Sequence, residues 1–129
     1  MILLDTHILI WLLIAPENLA PKAKKAILAA RKSGSLALSA ISLWEMACLA
    51  QNERIDVDVS VDSFVKKCAS YVHVLPITPE IAVRSVQLPK SYPNDPQDRI
   101  IGATALVEGI RLLTHDKRIV KSGLIPLAA

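Results

Sequence analysis

The sequence predicts an α/β fold, a three-layer α/β/α sandwich whose central sheet is mostly parallel. Short apolar runs alternate with longer helical segments from one end of the chain to the other. Hydrophobic residues make up 52% of the sequence and aromatic residues only 4%, a composition typical of strands that are buried on both faces. A chain of 129 residues is long enough for one such core, so we expect residues 1–129 to form a single domain.

In the first half of the chain, prolines and glycines separate the predicted elements. Residues 2–4 are predicted as a buried strand, and residues 6–14 stay apolar for too long to be another strand, so they are predicted as a helix. Pro16 breaks this run, and Pro21 opens a second helix that Gly34 ends. We predict that the chain continues as a strand over 36–38, a helix from about 43 to 52 and a polar loop over 53–60.

The second half of the chain continues this alternation and contains a central helix with acids at its start. The elements predicted before it are a helix over about 61–71, a strand over 72–75, a helix from Pro79 to about 88 and a proline-rich loop over 89–93. Asp95 is then predicted as a helix N-cap, Pro96 as the first helical residue and Asp98 as the third. The Asp98 carboxylate therefore lies at the positive end of the helix dipole. Gly109 ends this helix, and the last predicted elements are a strand over 111–113, a helical turn over 117–121 and an edge strand over 124–127.

Four acidic residues are predicted to meet at one edge of the sheet. Asp5 and Asp116 each follow a strand at its carboxyl end, and Glu45 and Asp98 each lie in the first turn of a predicted helix. In a parallel sheet those positions share the edge at which ligands bind. Carboxylate oxygens gathered there suit Mg²⁺ or Mn²⁺, and without a cation they would repel one another. The four acids therefore predict a divalent-metal site that activates a water for attack on a phosphodiester.

Each acid also has a structural interpretation. Asp5 and Asp116 fit ordinary helix N-caps, and Glu45 lies three residues after Ser42, which is the spacing of a capping box. Three neighbouring hydroxyls are expected to hold the carboxylates by hydrogen bonds rather than to act as nucleophiles, because no catalytic base accompanies them: Thr6, Ser42 and Thr114.

Other polar and aromatic residues near the acids receive structural interpretations as well. Arg99 is predicted to pair with Asp95 or Glu45, with a phosphate contact as the alternative. His7 and His115 neighbour two of the acids, but no spacing places them in a zinc site. Two aromatic residues with apolar neighbours are expected in the core or in an interface rather than as platforms for nucleobases: Trp11 and Trp44.

Charge, cysteines and hydropathy exclude several classes of protein. The net charge of +3 permits a nucleic-acid substrate without requiring one. Cys48 and Cys68 lie in apolar helical patterns, which is typical of reduced thiols in the cytoplasm rather than of a disulfide framework. The apolar run over 8–15 is too short to span a bilayer and lacks the basic start of a signal peptide. We expect a cytoplasmic protein with no membrane segment and, since the four glycines are scattered, no phosphate-binding loop.

Four short motifs stand in a fixed order along essentially the whole chain. They are Leu4-Asp5-Thr6-His7-Ile8, Ser42-Leu43-Trp44-Glu45, Asp95-Pro96-Gln97-Asp98-Arg99 and Leu112-Leu113-Thr114-His115-Asp116. Together they resemble the PIN-domain family and, within it, the VapC toxins of type II toxin–antitoxin modules. The resemblance implies that the family's four acids fall on Asp5, Glu45, Asp98 and Asp116. One departure is Pro93-Asn94, where close relatives often carry His-Arg.

The resemblance implies a Mg²⁺- or Mn²⁺-dependent endoribonuclease that leaves a 5′-phosphate and a 3′-hydroxyl. It also implies an RNA substrate such as transfer RNA, a cognate antitoxin and a homodimer. Two alternatives stay open: a PIN nuclease that processes RNA without being a toxin, and a catalytically inert PIN-fold module that binds a partner. A metal-dependent phosphatase is disfavoured, because no Asp-x-Asp motif follows the first strand.

Overall fold

The computed structural model describes all residues of the chain, Met1–Ala129. The strands are β1 (Ile2–Leu4), β2 (Leu36–Ser39), β3 (His73–Leu75) and β4 (Arg111–Leu113). The helices are α1 (Thr6–Ile14), α2 (Pro21–Lys32), α3 (Ala40–Gln51), α4 (Val61–Ser70), α5 (Pro79–Gln87), α6 (Pro96–Glu108) and α7 (Lys117–Ser122), and a 3₁₀ turn, Pro16–Asn18, joins α1 to α2. None of the helices combines the length and the apolar character that a membrane crossing requires.

The four strands form one sheet in the order β3-β2-β1-β4, and every neighbouring pair is parallel. The predicted α/β class with a parallel sheet is therefore confirmed. Leu4 of the central strand lies opposite Leu38 on one side and Leu113 on the other. Because these three residues share a register, the segments that follow them leave the sheet at the same edge.

Helices cover both faces of the sheet, which makes three layers. One apolar core joins Leu4 and Leu38 to buried residues of α1, α2, α3 and α4. The other core joins Leu3 and Leu112 to buried residues of α6 and α7, and α5 packs against α6. Adjacent strand residues alternate between the two cores because successive side chains point to opposite faces.

The third helix begins earlier than the sequence suggests. It begins at Ala40, and the hydroxyl of Ser39 accepts a hydrogen bond from the Ile41 amide at 3.3 Å. The predicted capping box of Ser42 and Glu45 is therefore wrong, and Glu45 lies in the second helical turn. The physical reason is that β2 runs directly into α3, so the last residue of the strand provides the cap.

The predicted edge strand over 124–127 is reduced to a single bridge. Leu127 pairs with Leu112 in parallel orientation, and the Leu112 amide donates to the Pro126 carbonyl at 2.9 Å. Since proline has no amide proton, Pro126 cannot donate a ladder hydrogen bond that would extend the pairing.

Gly102 lets α6 pack directly on the ring of Tyr92. A Cβ atom at Gly102 would lie 2.9 Å from Cζ of Tyr92 and 3.3 Å from Cδ1 of Ile125. Tyr92 is 1% exposed, and its hydroxyl donates to the Asp98 carbonyl at 3.1 Å. Burial, together with the nearby carboxylates, raises the pKa of Tyr92 above its ordinary range, so this hydroxyl stays a donor. The contact fixes the first turn of α6, which carries Asp98.

Candidate active site

A polar cavity of about 500 Å³ lies beside the carboxyl ends of β1 and β4. Ile8 is the one hydrophobic residue among the 11 that line it. Five carboxylates stand in its wall: Asp5, Glu45, Asp95, Asp98 and Asp116. The structure therefore brings all four predicted acids to one place and adds Asp95 to them.

Asp5 follows β1 and is both the N-cap of α1 and a residue of the cavity wall. One carboxylate oxygen accepts a hydrogen bond from the Thr6 amide at 2.9 Å, and the other accepts one from the Thr114 hydroxyl at 2.6 Å. The same Thr114 hydroxyl accepts a hydrogen bond from the Asp116 amide at 3.1 Å. Thr114 therefore connects the acid that follows β1 to the acid that follows β4.

Glu45 reaches the cavity from α3 and is held by a buried hydroxyl pair. Its Oε1 atom accepts a hydrogen bond from the Thr6 hydroxyl at 2.6 Å, and that hydroxyl also hydrogen-bonds the Ser42 hydroxyl at 2.8 Å. Thr6 is 1% and Ser42 is 0% exposed. The two hydroxyls therefore orient a carboxylate, as the sequence predicts, and are too deeply buried to reach a substrate.

Asp98 is the third residue of α6, as predicted, and its side chain is only 16% exposed. The pKa of its carboxyl group is raised to about 7, first by burial and then by the negative charge of Asp5 and by the hydrogen bond and charge of Asp95. Asp116 adds a smaller repulsion. The cavity therefore holds a carboxyl group that keeps its proton to an unusually high pH unless a cation compensates the negative charge.

The one guanidinium among these acids belongs to Arg118. Its Nη2 atom lies 2.9 Å from Asp116, 3.5 Å from Asp98 and 3.6 Å from Asp95, measured to a carboxylate oxygen in each case. Hydrogen bonds from Arg118 hold the pKa of Asp116 below its ordinary value. No three Asp, Glu, His or Cys side chains form a preformed metal-ligand group. In this structure, Arg118 supplies the positive charge that the acids share.

Arg99 does not make the predicted pair with Asp95 or Glu45. Its Nε atom donates to the Ser85 carbonyl at 2.9 Å, and its terminal nitrogens donate to the carbonyls of Leu88, Tyr92 and Pro93. These carbonyls lie at the end of α5 and in the loop after it, where no further helical turn supplies amide donors. The planar fork of donors suits several acceptors at once, so Arg99 fixes the loop that leads to α6.

Asp95 is the N-cap residue of α6, but its side chain accepts no capping hydrogen bond. It is 55% exposed and lines the cavity instead. Both histidines that neighbour the acids, His7 and His115, also line the cavity.

The sequence did not predict three residues that the site uses: Lys117, Arg118 and Tyr92. The sequence signal for Arg118 is its spacing from Asp116. Asp116 is the N-cap of α7 and Arg118 is the second residue of that helix, so the two lie at the same helix end. No local signal marks Tyr92, because its contacts are with a helix whose packing depends on the whole fold.

Without a bound cation, the protein is expected to lose stability between about pH 5 and about pH 8. Asp98 has a pKa of about 7 in the folded chain against an ordinary 3.8, so the folded state holds this proton more tightly than the unfolded state. The contribution of this proton to folding stability is complete below the ordinary pKa of Asp98 and is lost as the pH rises through the pKa of the folded chain. The loss of folding free energy in this window is on the order of 2 kcal/mol. The lowered pKa of Asp116 acts only at more acidic pH.

Urea unfolding in the presence of EDTA at the two pH values measures this loss. The Asp98→Asn variant lacks the titrating group and should show a flatter pH dependence. Equal losses in the two proteins would contradict the assignment to Asp98.

Comparison with known proteins identifies the family. The chain matches the PIN domain family over residues 2–123. It is 42% identical over 118 residues to ribonuclease VapC22 of Mycobacterium tuberculosis, covering 92% of this chain and 88% of that protein.

Solved structures share its fold. A toxin–antitoxin complex from Klebsiella pneumoniae contains a chain that matches with a TM-score of 0.67 and 28% identity, covering 92% of this chain and 89% of that one. VapBC2 from Rickettsia felis, bound to a DNA fragment from its promoter, matches with a TM-score of 0.74 over 98% of this chain and 97% of that one. Its 16% identity shows a likeness of fold alone. From the family match and the identity to VapC22, the chain belongs to the PIN-domain family and resembles its VapC-type members.

Proposed function

We propose that this chain is a divalent-metal-dependent endoribonuclease and the toxin of a type II toxin–antitoxin module. The observation that carries the proposal is the convergence of Asp5, Glu45, Asp98 and Asp116 on one polar cavity. The 42% identity to a protein named ribonuclease VapC22 supports RNA as the substrate. The Thr6 and Ser42 hydroxyls are buried and the Thr114 hydroxyl is hydrogen-bonded to Asp5, so attack by water is favoured over attack by a side chain.

The residues around the cavity fit Mg²⁺ or Mn²⁺. The available ligands are carboxylate oxygens, which these hard cations prefer, and no cysteine lines the cavity. The raised pKa of Asp98 reflects its burial first and then repulsion by the neighbouring acids, and the charge of a divalent cation would offset both. We assign Asp5, Glu45, Asp98 and Asp116 as the residues that would hold the ion, directly or through water.

When bound, the ion would lower the pKa of a water and stabilise the charge that develops on the phosphodiester. The chain's own residues orient the carboxylates that would hold the ion. Thr114 holds Asp5 and the backbone of Asp116, and Thr6 holds Glu45. Hydrogen bonds of this kind fix the orientation of metal-binding carboxylates. Lys117 and Arg118 are exposed residues of the cavity wall and are placed to bind the phosphates of RNA.

The proposed partners are an antitoxin, a second copy of the chain and a structured RNA such as transfer RNA. The Klebsiella pneumoniae relative was solved as a toxin–antitoxin complex, which supports a cognate antitoxin here. For a homodimer, α5 offers exposed apolar side chains, Val83 at 53% and Val86 at 77%. Structured RNA is recognised by its shape and its exposed loops.

Replacing Arg118 by alanine is expected to tighten Mn²⁺ binding severalfold. The guanidinium neutralises Asp116, Asp98 and Asp95, so it competes with a metal ion for the same negative charge. Calorimetric titration with Mn²⁺ measures the dissociation constant. The matched control is Arg111→Ala, which removes the same charge from a strand start outside the cavity. Weaker binding by the Arg118 variant would show that the arginine does not compete.

Induced expression in a bacterial host tests the proposed function. We expect growth arrest with fragmented RNA, relief by the antitoxin gene, and neither effect from the Asp98→Asn variant. Normal growth with intact RNA would contradict the proposal. Normal growth together with metal-dependent cleavage of RNA by the purified protein would instead favour a processing nuclease that is not a toxin.

A further inference from the structure

A second cavity, of about 680 Å³, adjoins the acidic one, and most of its lining residues are hydrophobic. It lies between α1, the start of α2 and the end of β4. Ile8 and His115 line both cavities, so the two spaces meet at these side chains. Nothing in the proposed chemistry of the acidic cavity uses the second one.

Aromatic rings form the boundary between the two cavities. The indole of Trp11 and the imidazole of His115 are stacked, with centroids 4.1 Å apart and planes 18° from parallel. His7, a residue of the acidic cavity, lies 6.0 Å from Trp11 between ring centroids. Trp11 is half-buried and His115 is exposed, so part of the stacked pair is reached by solvent beside the acids.

The rest of the second cavity offers a partly apolar space with polar groups at its edge. Ile8 and Leu19 are buried and apolar, whereas Asn18 and Lys22 are exposed. A carboxamide can donate and accept hydrogen bonds with the edge of a base, and an ammonium group can bind a phosphate. The volume lies within the range of small-molecule sites.

We propose that this second cavity binds an unpaired nucleobase of the RNA, from a nucleotide next to the scissile phosphate, against the Trp11–His115 pair. This rests on the proposed ribonuclease function. Single-stranded RNA is recognised by bases that stack on aromatic side chains while basic groups bind the backbone. The cavity adjoins the acidic site at the shared residues Ile8 and His115, as a site for a base beside the cleaved bond requires. Trp11 and His115 are thereby specificity-determining residues, and Trp11 is more than a core residue.

Short single-stranded RNA oligonucleotides with one abasic position, moved along the sequence, test the proposal in single-turnover cleavage. In the wild type, the cleavage rate should fall about tenfold when the base is missing at one position next to the cleaved bond. In Trp11→Leu, which keeps apolar bulk but no ring, that position should show no special loss. Trp11→Phe should keep part of it. The matched control, Trp44→Leu, alters an exposed tryptophan outside both cavities and should keep the full loss.

Fluorescence in EDTA provides a readout that needs no cleavage. In a Trp44→Phe background, Trp11 is the only indole, and an oligouridylate should quench it saturably, whereas an abasic oligonucleotide of equal charge should not. No quenching, or a Trp11→Leu variant that shows the same abasic pattern as the wild type, would overturn the proposal and favour a protein partner for the cavity. Quenching in EDTA, combined with no RNA cleavage in the single-turnover assay with wild-type protein, would support the base site while contradicting the ribonuclease function.

Discussion

The Asp98→Asn variant is expected to lose RNA cleavage by about 10³-fold while keeping its fold. Asparagine has the shape of aspartate without its charge, so the cavity loses one proposed metal ligand and little else. Asp98 is well shielded at 16% exposure, and its carboxylate is repelled by Asp5, Asp95 and Asp116. In metal-free buffer at about pH 8 the variant should therefore be more stable than the wild type.

Single-turnover cleavage of transfer RNA in Mn²⁺ measures the rate, and thermal unfolding measures the fold. Asp95→Asn is the matched control, because the same chemical change falls on a side chain that is 55% exposed at the cavity edge. Its loss should be much smaller. A folded Asp98→Asn protein that cleaves at the wild-type rate would remove Asp98 from the active site.

The Arg99→Ala variant is expected to lower the free energy of unfolding by about 3 kcal/mol. Arg99 donates to the carbonyls of Ser85, Leu88 and Pro93. Alanine would leave these acceptors without their charged donor and would leave a gap beside α6. Because the loop from Leu88 to Pro93 leads into the first turn of α6, RNA cleavage should fall as well.

Equilibrium unfolding in urea measures this loss, and Arg99→Lys is the informative control. Lysine keeps the charge, but one ammonium group cannot reproduce the planar fork of donors, so an intermediate stability is expected. An alanine variant as stable as the wild type would show that these hydrogen bonds contribute no net stability.

The positions of Asp5 and Asp116 could be predicted from the sequence because each follows an apolar run of strand length. The ends of neighbouring parallel strands share an edge, so the convergence of these two acids follows from the fold class. The position of Asp98 could also be predicted, since Asp95 and Pro96 mark the start of its helix.

The start of α3 could not be predicted because two serines precede the same apolar run. Ser39 and Ser42 are both good N-caps, and the choice between them depends on where β2 ends. That end is set by pairing with β1 and β3, which is a tertiary contact. Glu45 reaches the cavity even though its helical position was predicted wrongly.

The partners of Arg99 and Arg118 could not be predicted from the local sequence either. Each guanidinium contacts groups from more than one element: Arg99 binds carbonyls of α5 and the following loop, and Arg118 binds acids from two helix starts. The sequence shows charges of opposite sign near one another, but only the packed structure decides which of them meet.

The most direct test of the central claim is cleavage of transfer RNA by the purified chain with Mn²⁺, with EDTA, and with EDTA followed by excess Mn²⁺. A metal-dependent ribonuclease predicts cleavage with Mn²⁺, none with EDTA and recovery when the ion is restored. Cleavage that continues unchanged in EDTA would contradict a role for the carboxylates in binding a catalytic metal ion.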